Sequence, residues 1–175
     1  KNNFWNGTID ELRIYNRSLS AAEILQHYNA KVTLLQGESY VINSRYNELT
    51  SSYEGLVALY HLNEIAGSTN FTDSSGNNNT GGCGGTSCPT QTDGRLNGAF
   101  DFDGSNDFIK MADSKEWDFV DVTIAFWLNP EDLSGNPIIF AQSADDTVGE
   151  SSNANDHYAY HDSSTKEIRW ATVAG

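Results

Sequence analysis

The stretch FWNGTIDELRIYNRSLSAAEILQHY, Phe4 to Tyr28, predicts one strand followed by one short helix. Apolar and polar residues alternate over residues 11–15, which is the period of a half-buried β-strand. Ser20 and Glu23 have the spacing of a capping box, in which a hydroxyl and a carboxylate satisfy backbone amides at a helix start. We therefore expect a short helix near residues 20–29, closing whatever sheet the strand belongs to.

The rest of the chain predicts short strands joined by polar turns. Gly, Asn, Ser, Thr and Asp are abundant, whereas Lys and Arg together number only 10. We expect a hairpin around the turn Asp103–Asp107 and a long polar loop over residues 63–97. The predicted strands are 56–62, 99–102, 108–111, 120–128, 137–142, 157–161 and 167–173.

Five ordered motifs carry a family resemblance. They are FWNGTIDELRIYNRSLSAAEI (4–24), LVALYHLNE (56–64), DSSG (73–76), FDFDGSNDFI (100–109) and VTIAFWLNP (122–130). In these motifs the chain resembles the laminin-G-like (concanavalin A-like lectin/glucanase) jelly-roll family, although the family's closing motif comes first here. The resemblance implies an all-β, antiparallel β-sandwich jelly roll with the short helix near residues 20–29.

The reversed order of the motifs leaves three arrangements open. Residues 1–29 read as the closing strand and helix of a jelly roll, 30–54 as a linker, and 55–175 as the opening portion of a jelly roll. The chain then holds parts of two tandem domains, or one permuted domain, or a protomer whose closing strand completes the sheet of another copy.

The net charge of −14 disfavours nucleic acid as a partner and favours cations. Calcium takes six to eight oxygen ligands, which loops rich in Asp and Asn supply. By resemblance the candidate metal ligands are Asp10 (or Glu11), Glu64, Asp73, Asp103 and Asp107. The alternative is that Asp103–Asp107 is only a turn and Asp73 only a loop cap.

Other features indicate an extracellular or cell-surface location. Cys83 and Cys88 are close enough in sequence, across two glycines, to form a small disulfide, which implies an oxidising compartment. No stretch of the sequence approaches the length of a membrane span. Asn-x-Ser/Thr sequons, which are glycosylation acceptors in secreted proteins, occur at Asn6, Asn16, Asn70 and Asn78.

The sequence favours binding over catalysis. No pair of carboxylates has the strand spacing that a glycosidase of this fold uses, so we expect no enzyme. Exposed aromatic residues that stack on sugar rings are the candidate ligand-binding residues: Trp5, Trp117, Tyr158 and Tyr160, with Trp127 expected in the core. We therefore expect an adhesion module for carbohydrate or protein, with calcium as its possible cofactor; the alternative is a structural protomer of an extracellular filament or sheath, built from copies of the chain by strand exchange.

Overall fold

The computed structural model describes residues 3–29, 32–35, 38–41, 53–112, 121–142 and 157–172. These residues are mostly β-strand in antiparallel sheets, with one short helix, which confirms the predicted all-β class. The elements are β1 (Asn6–Tyr15), α1 (Ala21–Asn29), β2 (Val32–Leu35), β3 (Glu38–Val41), β4 (Leu56–Tyr60), β5 (Asn70–Phe71), β6 (Gly81–Gly82), β7 (Thr90–Asp93), β8 (Gly98–Asp103), β9 (Lys110–Met111), β10 (Thr123–Asp132), β11 (Ile138–Gln142), β12 (His157–Asp162) and β13 (Glu167–Thr172).

Strand β1 lies inside the largest sheet of the described chain. One of its edges pairs with β10 over its whole length, and its other edge pairs first with β8 (residues 6–9) and then with β4 (residues 12–15). Every one of these partners belongs to the same chain. The strand expected to close a jelly roll therefore lies on the body of its own chain in this structure.

A β-bulge at Glu11 lets β1 change partner. Asp10 pairs with Trp127 and Arg13 with Ala125, so β1 carries one extra residue between these pairs. Glu11 has a φ of 53°, a left-handed conformation that is uncommon for a residue with a side chain. Because the bulge adds one residue, Ile9 and Ile14 both reach the same core although strict alternation would put them on opposite faces.

Gly7 is required where β1 passes closest to β10. Its φ is 132°, and a Cβ at this position would lie 2.9 Å from Cα of Pro130. Pro130 is the residue with which Gly7 pairs across the two strands. Only glycine fits here without moving the neighbouring backbone.

The main core lies on one face of this sheet. Ile9 and Ile14 of β1 pack there with residues of the neighbouring strands and of the 61–97 region, and Ile139 and Phe140 of β11 pack against the same cluster. On the other side, Tyr15, Leu56 and Leu59 form a smaller cluster with Leu19, the residue just before the capping box. The buried members of the main core are Trp5, Ile9, Ile14, Val57, Ala58, Tyr60, Leu62, Phe71, Phe100 and Phe102.

The turn Asp103–Asp107 joins two sheets, so the hairpin expected there is wrong. Strand β8 pairs with β1 on one edge and with β7 on the other, whereas β9 pairs with β6. Both edges of β8 are occupied, and the chain must therefore leave the sheet after Asp103. Likewise, residues 63–97 are not one long loop, because they contain β5, β6 and β7.

The described chain contains two further sheets. Strands β2 and β3 pair with each other as a hairpin within the 30–54 segment that the sequence assigned to a linker. Strands β11, β12 and β13 form a three-stranded sheet in that order, and Phe4 bridges to Ile138 at its edge. None of the helices in the described ranges is both long and apolar enough to cross a membrane.

Candidate functional site

Asp73 organises a loop through hydrogen bonds from its own chain. Its two carboxylate oxygens accept bonds from the amides of Leu59 (3.0 Å), Ser75 (2.9 Å) and Asn79 (2.9 Å) and from the Ser75 hydroxyl (2.8 Å). Burial acts to raise the pKa of Asp73, but these hydrogen bonds together hold it below its ordinary value. The carboxylate is thus used as the cap of the DSSG loop.

The carboxylates of the 101–107 turn also serve the backbone. Asp103 accepts bonds from the amides of Ser105 (2.8 Å) and Asn106 (3.4 Å), and Asp107 accepts one from the amide of Asp103 (3.0 Å). Burial raises the pKa of Asp107, and the neighbouring charges of Asp103 and Asp101 raise it further. Asp103 and Asp107 therefore act as caps of the turn that follows β8.

Glu64 lies in a different place, in the segment between β4 and β5. One of its oxygens accepts a bond from the Thr72 amide at 2.8 Å, and the other is buried with no hydrogen-bond partner in the part of the chain that the structure describes. Within the described ranges, no three His, Cys, Asp or Glu side chains come together in a way that could hold a metal ion. The five candidate ligands are therefore not gathered into one site.

Asp10 is the most buried of the candidate ligands, with 2% of its surface exposed. Its Oδ2 accepts a bond from the Leu96 amide at 2.9 Å in the turn between β7 and β8, and its Oδ1 has no partner among the described residues. Burial raises the pKa of Asp10 to about 6, and the hydrogen bonds from the amides of Leu96 and Arg95 offset this only in part. A buried carboxylate with an unsatisfied oxygen is costly to ionise.

Glu11, at the bulge, contacts the side chains of Arg13 and His61. Its carboxylate contacts Arg13 at 2.5 Å and Nδ1 of His61 at 2.7 Å. Glu11 is 2% exposed and Arg13 6%, whereas the His61 side chain is 41% exposed. Glu11 therefore compensates a buried guanidinium and fixes the orientation of a half-exposed imidazole.

Helix α1 covers one side of β1 through a histidine. His27 is 8% exposed, and its Nε2 lies 3.0 Å from the hydroxyl of Tyr15. Burial, and then the nearby Arg13, lower the pKa of His27 to about 4. The capping box forms as expected, because Glu23 accepts bonds from the amide and hydroxyl of Ser20 and the Ser20 hydroxyl accepts one from the amide of Glu23.

The tryptophans differ from the expectation. Trp5 was expected to be exposed, but it is 4% exposed and packs in the main core, so its ring offers no face to a ligand. Trp127, expected in the core, is half-buried on the side of the sheet that carries α1. Trp117 lies outside the described residues. Trp170 on β13 is 46% exposed and is stacked beside Phe140 with their ring centroids 6.3 Å apart.

Tyr158 and Tyr160 form a pair of rings on one face of the β11–β12–β13 sheet. Their centroids are 5.6 Å apart with an interplanar angle of 41°, and both side chains are half-buried. In the strand register Tyr158 is flanked by Ala141 on β11 and Ala171 on β13. Because paired residues share a face, the Tyr158 ring stands between two small side chains.

The features that indicated an extracellular protein are also located. Cys83 and Cys88 are joined by a disulfide between β6 and β7. Among the sequons, Asn16, Asn70 and Asn78 are exposed. Asn6 is half-buried and its side-chain amide donates to the carbonyl of Asp103 at 3.3 Å, so it is the least accessible of the four.

Comparison with known proteins gives no family assignment. No protein-family model matches the chain, and no significant match was found among curated proteins or among solved structures. The laminin-G-like resemblance therefore rests on the motifs quoted above.

Proposed function

We propose that the chain is a non-catalytic binding module of a secreted or cell-surface protein, built on a laminin-G-like jelly roll. The support is the presence of the five motifs, the central place of β1 between β10, β8 and β4, and the disulfide. The structural-protomer alternative needs β1 to pair with a second copy, whereas here β1 pairs with strands of its own chain.

We propose carbohydrate as the ligand, and the Tyr158–Tyr160 pair as the observation that carries this. Two adjacent rings on one sheet face, with small residues on both sides of one of them, form a raised apolar surface of the kind that stacks on a sugar ring. Arg169, which pairs with Tyr160 across the strands, places a guanidinium beside the rings. Its terminal nitrogens pair with Asp162 and Glu167, so hydroxyl groups of a bound saccharide would meet an ion-paired cluster that holds both donors and acceptors.

The proposal contains no catalytic step. The two carboxylates buried deepest in the sheet, Asp10 and Glu11, are engaged with the Leu96 amide and with Arg13 and His61. A glycosidase needs two carboxyl groups that flank a bond in an open cleft. Both of these are under 3% exposed.

Binding to a glycan array tests the ligand. The chain is applied alongside Tyr158→Ala and Tyr160→Ala, with Trp170→Ala as the control, because Trp170 projects from the opposite face of the same sheet. We expect each tyrosine variant to weaken binding about tenfold, the loss of one ring contact of about 1.4 kcal/mol, while the control keeps its affinity. If all three variants lose affinity equally, or if all of them bind the glycan as tightly as the wild type, these tyrosines do not form the binding site.

Calcium assistance is tested separately. An ion that binds only the folded state stabilises it, and the stabilisation grows with the logarithm of the ratio of ion concentration to dissociation constant. Millimolar calcium should therefore raise the melting temperature, and a chelator should lower it. Asp103→Asn and Glu64→Gln, which lie in different parts of the structure, then report which loop binds the ion. If neither calcium nor a chelator changes the melting temperature, the chain does not bind calcium. The proposed sugar contact at Tyr158 and Tyr160 does not depend on that result.

A further inference from the structure

Helix α1 presents its apolar stripe to solvent. Ile24, Leu25 and Tyr28 are 54%, 57% and 62% exposed, and their spacing puts them on one side of the helix. The side that faces the sheet instead buries His27. An amphipathic helix on a sheet ordinarily does the opposite, so the stripe is an exposed apolar surface that calls for an explanation.

The stripe continues from the helix onto the sheet. The ring of Tyr28 lies 5.4 Å from that of Trp127 on β10, and the guanidinium of Arg95, in the turn between β7 and β8, lies 5.1 Å over the same Trp127 ring. We call Ile24, Leu25, Tyr28, Trp127 and Arg95 the helix-side surface. Tyr, Trp and Arg are the residue types most enriched where protein interfaces concentrate their binding energy.

The charge of this surface identifies the complementary partner. Of the four arginines in the described ranges, Arg13, Arg17 and Arg169 each pair with a carboxylate of the chain, whereas Arg95 pairs with none there. This is unusual in a chain with 24 acidic and 10 basic residues. The only carboxylate on the helix, Glu23, is held by Arg17 at 2.6 Å. The surface is thus apolar with one guanidinium whose donors are unclaimed by carboxylates.

We propose that the helix-side surface docks a segment of another protein that presents apolar side chains to the stripe and one carboxylate to Arg95. A second copy of this chain in a two-fold contact does not meet that description. Arg95 would face a surface without a carboxylate, and the two molecules would each carry a net charge of −14. The surface lies on α1 and the β7–β8 turn, apart from the Tyr158–Tyr160 sheet, and the inference stands independently of carbohydrate binding.

Selection of linear peptides from a phage-displayed library on the full chain tests this. We expect the enriched peptides to share an acidic residue at a fixed spacing from two or more apolar residues. Leu25→Asp should weaken their binding by about tenfold or more, and Arg95→Gln by about fivefold to tenfold. Ile168→Asp, at an exposed apolar residue of β13, is the matched control and should change nothing.

A double-mutant cycle separates the guanidinium from the apolar stripe. When the acidic residue of a selected peptide is replaced by its amide, Arg95→Gln should have no further effect on affinity. Peptides that enrich without an acidic residue, peptides indifferent to Leu25→Asp, or a library that yields no binder would each overturn the proposal. A dimer in sedimentation that Leu25→Asp abolishes would assign the surface to a second copy, and would overturn it as well. Matched melting curves establish that the variants are folded.

Discussion

Asp10 and His27 are two buried groups whose titrations act on stability in opposite directions. Asp10 has a pKa of about 6 in the folded chain against 3.8 for an exposed aspartate, and His27 has about 4 against 6.5. Asp10 binds its proton more tightly when folded, so its contribution is full below pH 3.8 and is lost as the pH rises through 6. His27 binds its proton more weakly when folded, so its contribution is full above pH 6.5 and is lost as the pH falls through 4.

The two effects are of similar size. Between about pH 7.5 and pH 4.5, protonation of Asp10 adds about 2 kcal/mol to the free energy of unfolding, and protonation of His27 in the unfolded chain removes about 2.5 kcal/mol. In the wild type these contributions nearly cancel. Substitution of either group should therefore uncover the slope of the other.

Urea denaturation at a series of pH values measures this with Asp10→Asn, His27→Gln and the double variant. As the pH falls over that range, Asp10→Asn should lose about 2 kcal/mol of stability relative to the wild type, and His27→Gln should gain about 2.5 kcal/mol. A substitution also changes packing, but that change in the free energy of unfolding is the same at every pH. It therefore cancels when the values at two pH values are subtracted. The double variant should follow the sum, because the two groups do not contact each other. A difference between Asp10→Asn and the wild type that stays within about 0.5 kcal/mol over this range would refute the reasoning.

The remaining predictions concern the scaffold that holds these groups. Glu11→Ala should lower the free energy of unfolding by about 3 kcal/mol or more, because it leaves the Arg13 guanidinium buried and unpaired; a loss below about 1 kcal/mol by urea denaturation would contradict that role. Gly7→Ala should lower the free energy of unfolding by about 2 kcal/mol or more, because the added Cβ meets the β10 backbone. The control is Gly76→Ala, which also has a positive φ but lies in open space and should cost about 1 kcal/mol. Equal losses in thermal melts would count against the close approach of Gly7 to β10. Asp73→Ala should lower the free energy of unfolding by about 2–4 kcal/mol, because it removes four hydrogen bonds. Hydrogen exchange should then show a loss of protection at the amides of Leu59 and Asn79. Protection that survives the substitution would contradict the capping role.

Local sequence patterns predicted much of the secondary structure. The alternation after Glu11, the Ser20–Glu23 capping box and the spacing of Cys83 and Cys88 depend on residues that are near neighbours in the chain, and each corresponds to a feature of the structure. The pairing of β1 with three distant strands is a long-range property. The motif order left three arrangements open, and the pairing of β1 with β10, β8 and β4 follows from no local pattern.

The rest depended on packing that no local pattern encodes. The bulge at Glu11 cannot be recognised from the sequence period, because residues 9–12 look like a lapse in alternation rather than an insertion. The apolar stripe of α1 predicts burial of Ile24, yet the helix docks through His27, whose partner Tyr15 lies on another element. Trp5 was expected to flank a turn and to be exposed, but Phe4 bridges to Ile138 next to it and Trp5 packs in the core.

The central claim is that β1 completes the sheet of its own chain, and one cross-link tests it most directly. Thr8 on β1 pairs with Asn129 on β10, so cysteines at both positions lie within disulfide range. After oxidation of Thr8→Cys/Asn129→Cys at low concentration, peptide mapping and light scattering should find a monomer in which the two segments are linked. The pair Thr90→Cys/Asp101→Cys, within the local β7–β8 hairpin, controls for the oxidation itself. Linked dimers or longer ladders from the first pair, or a failure to link while the control pair does, would place β1 elsewhere and contradict the account.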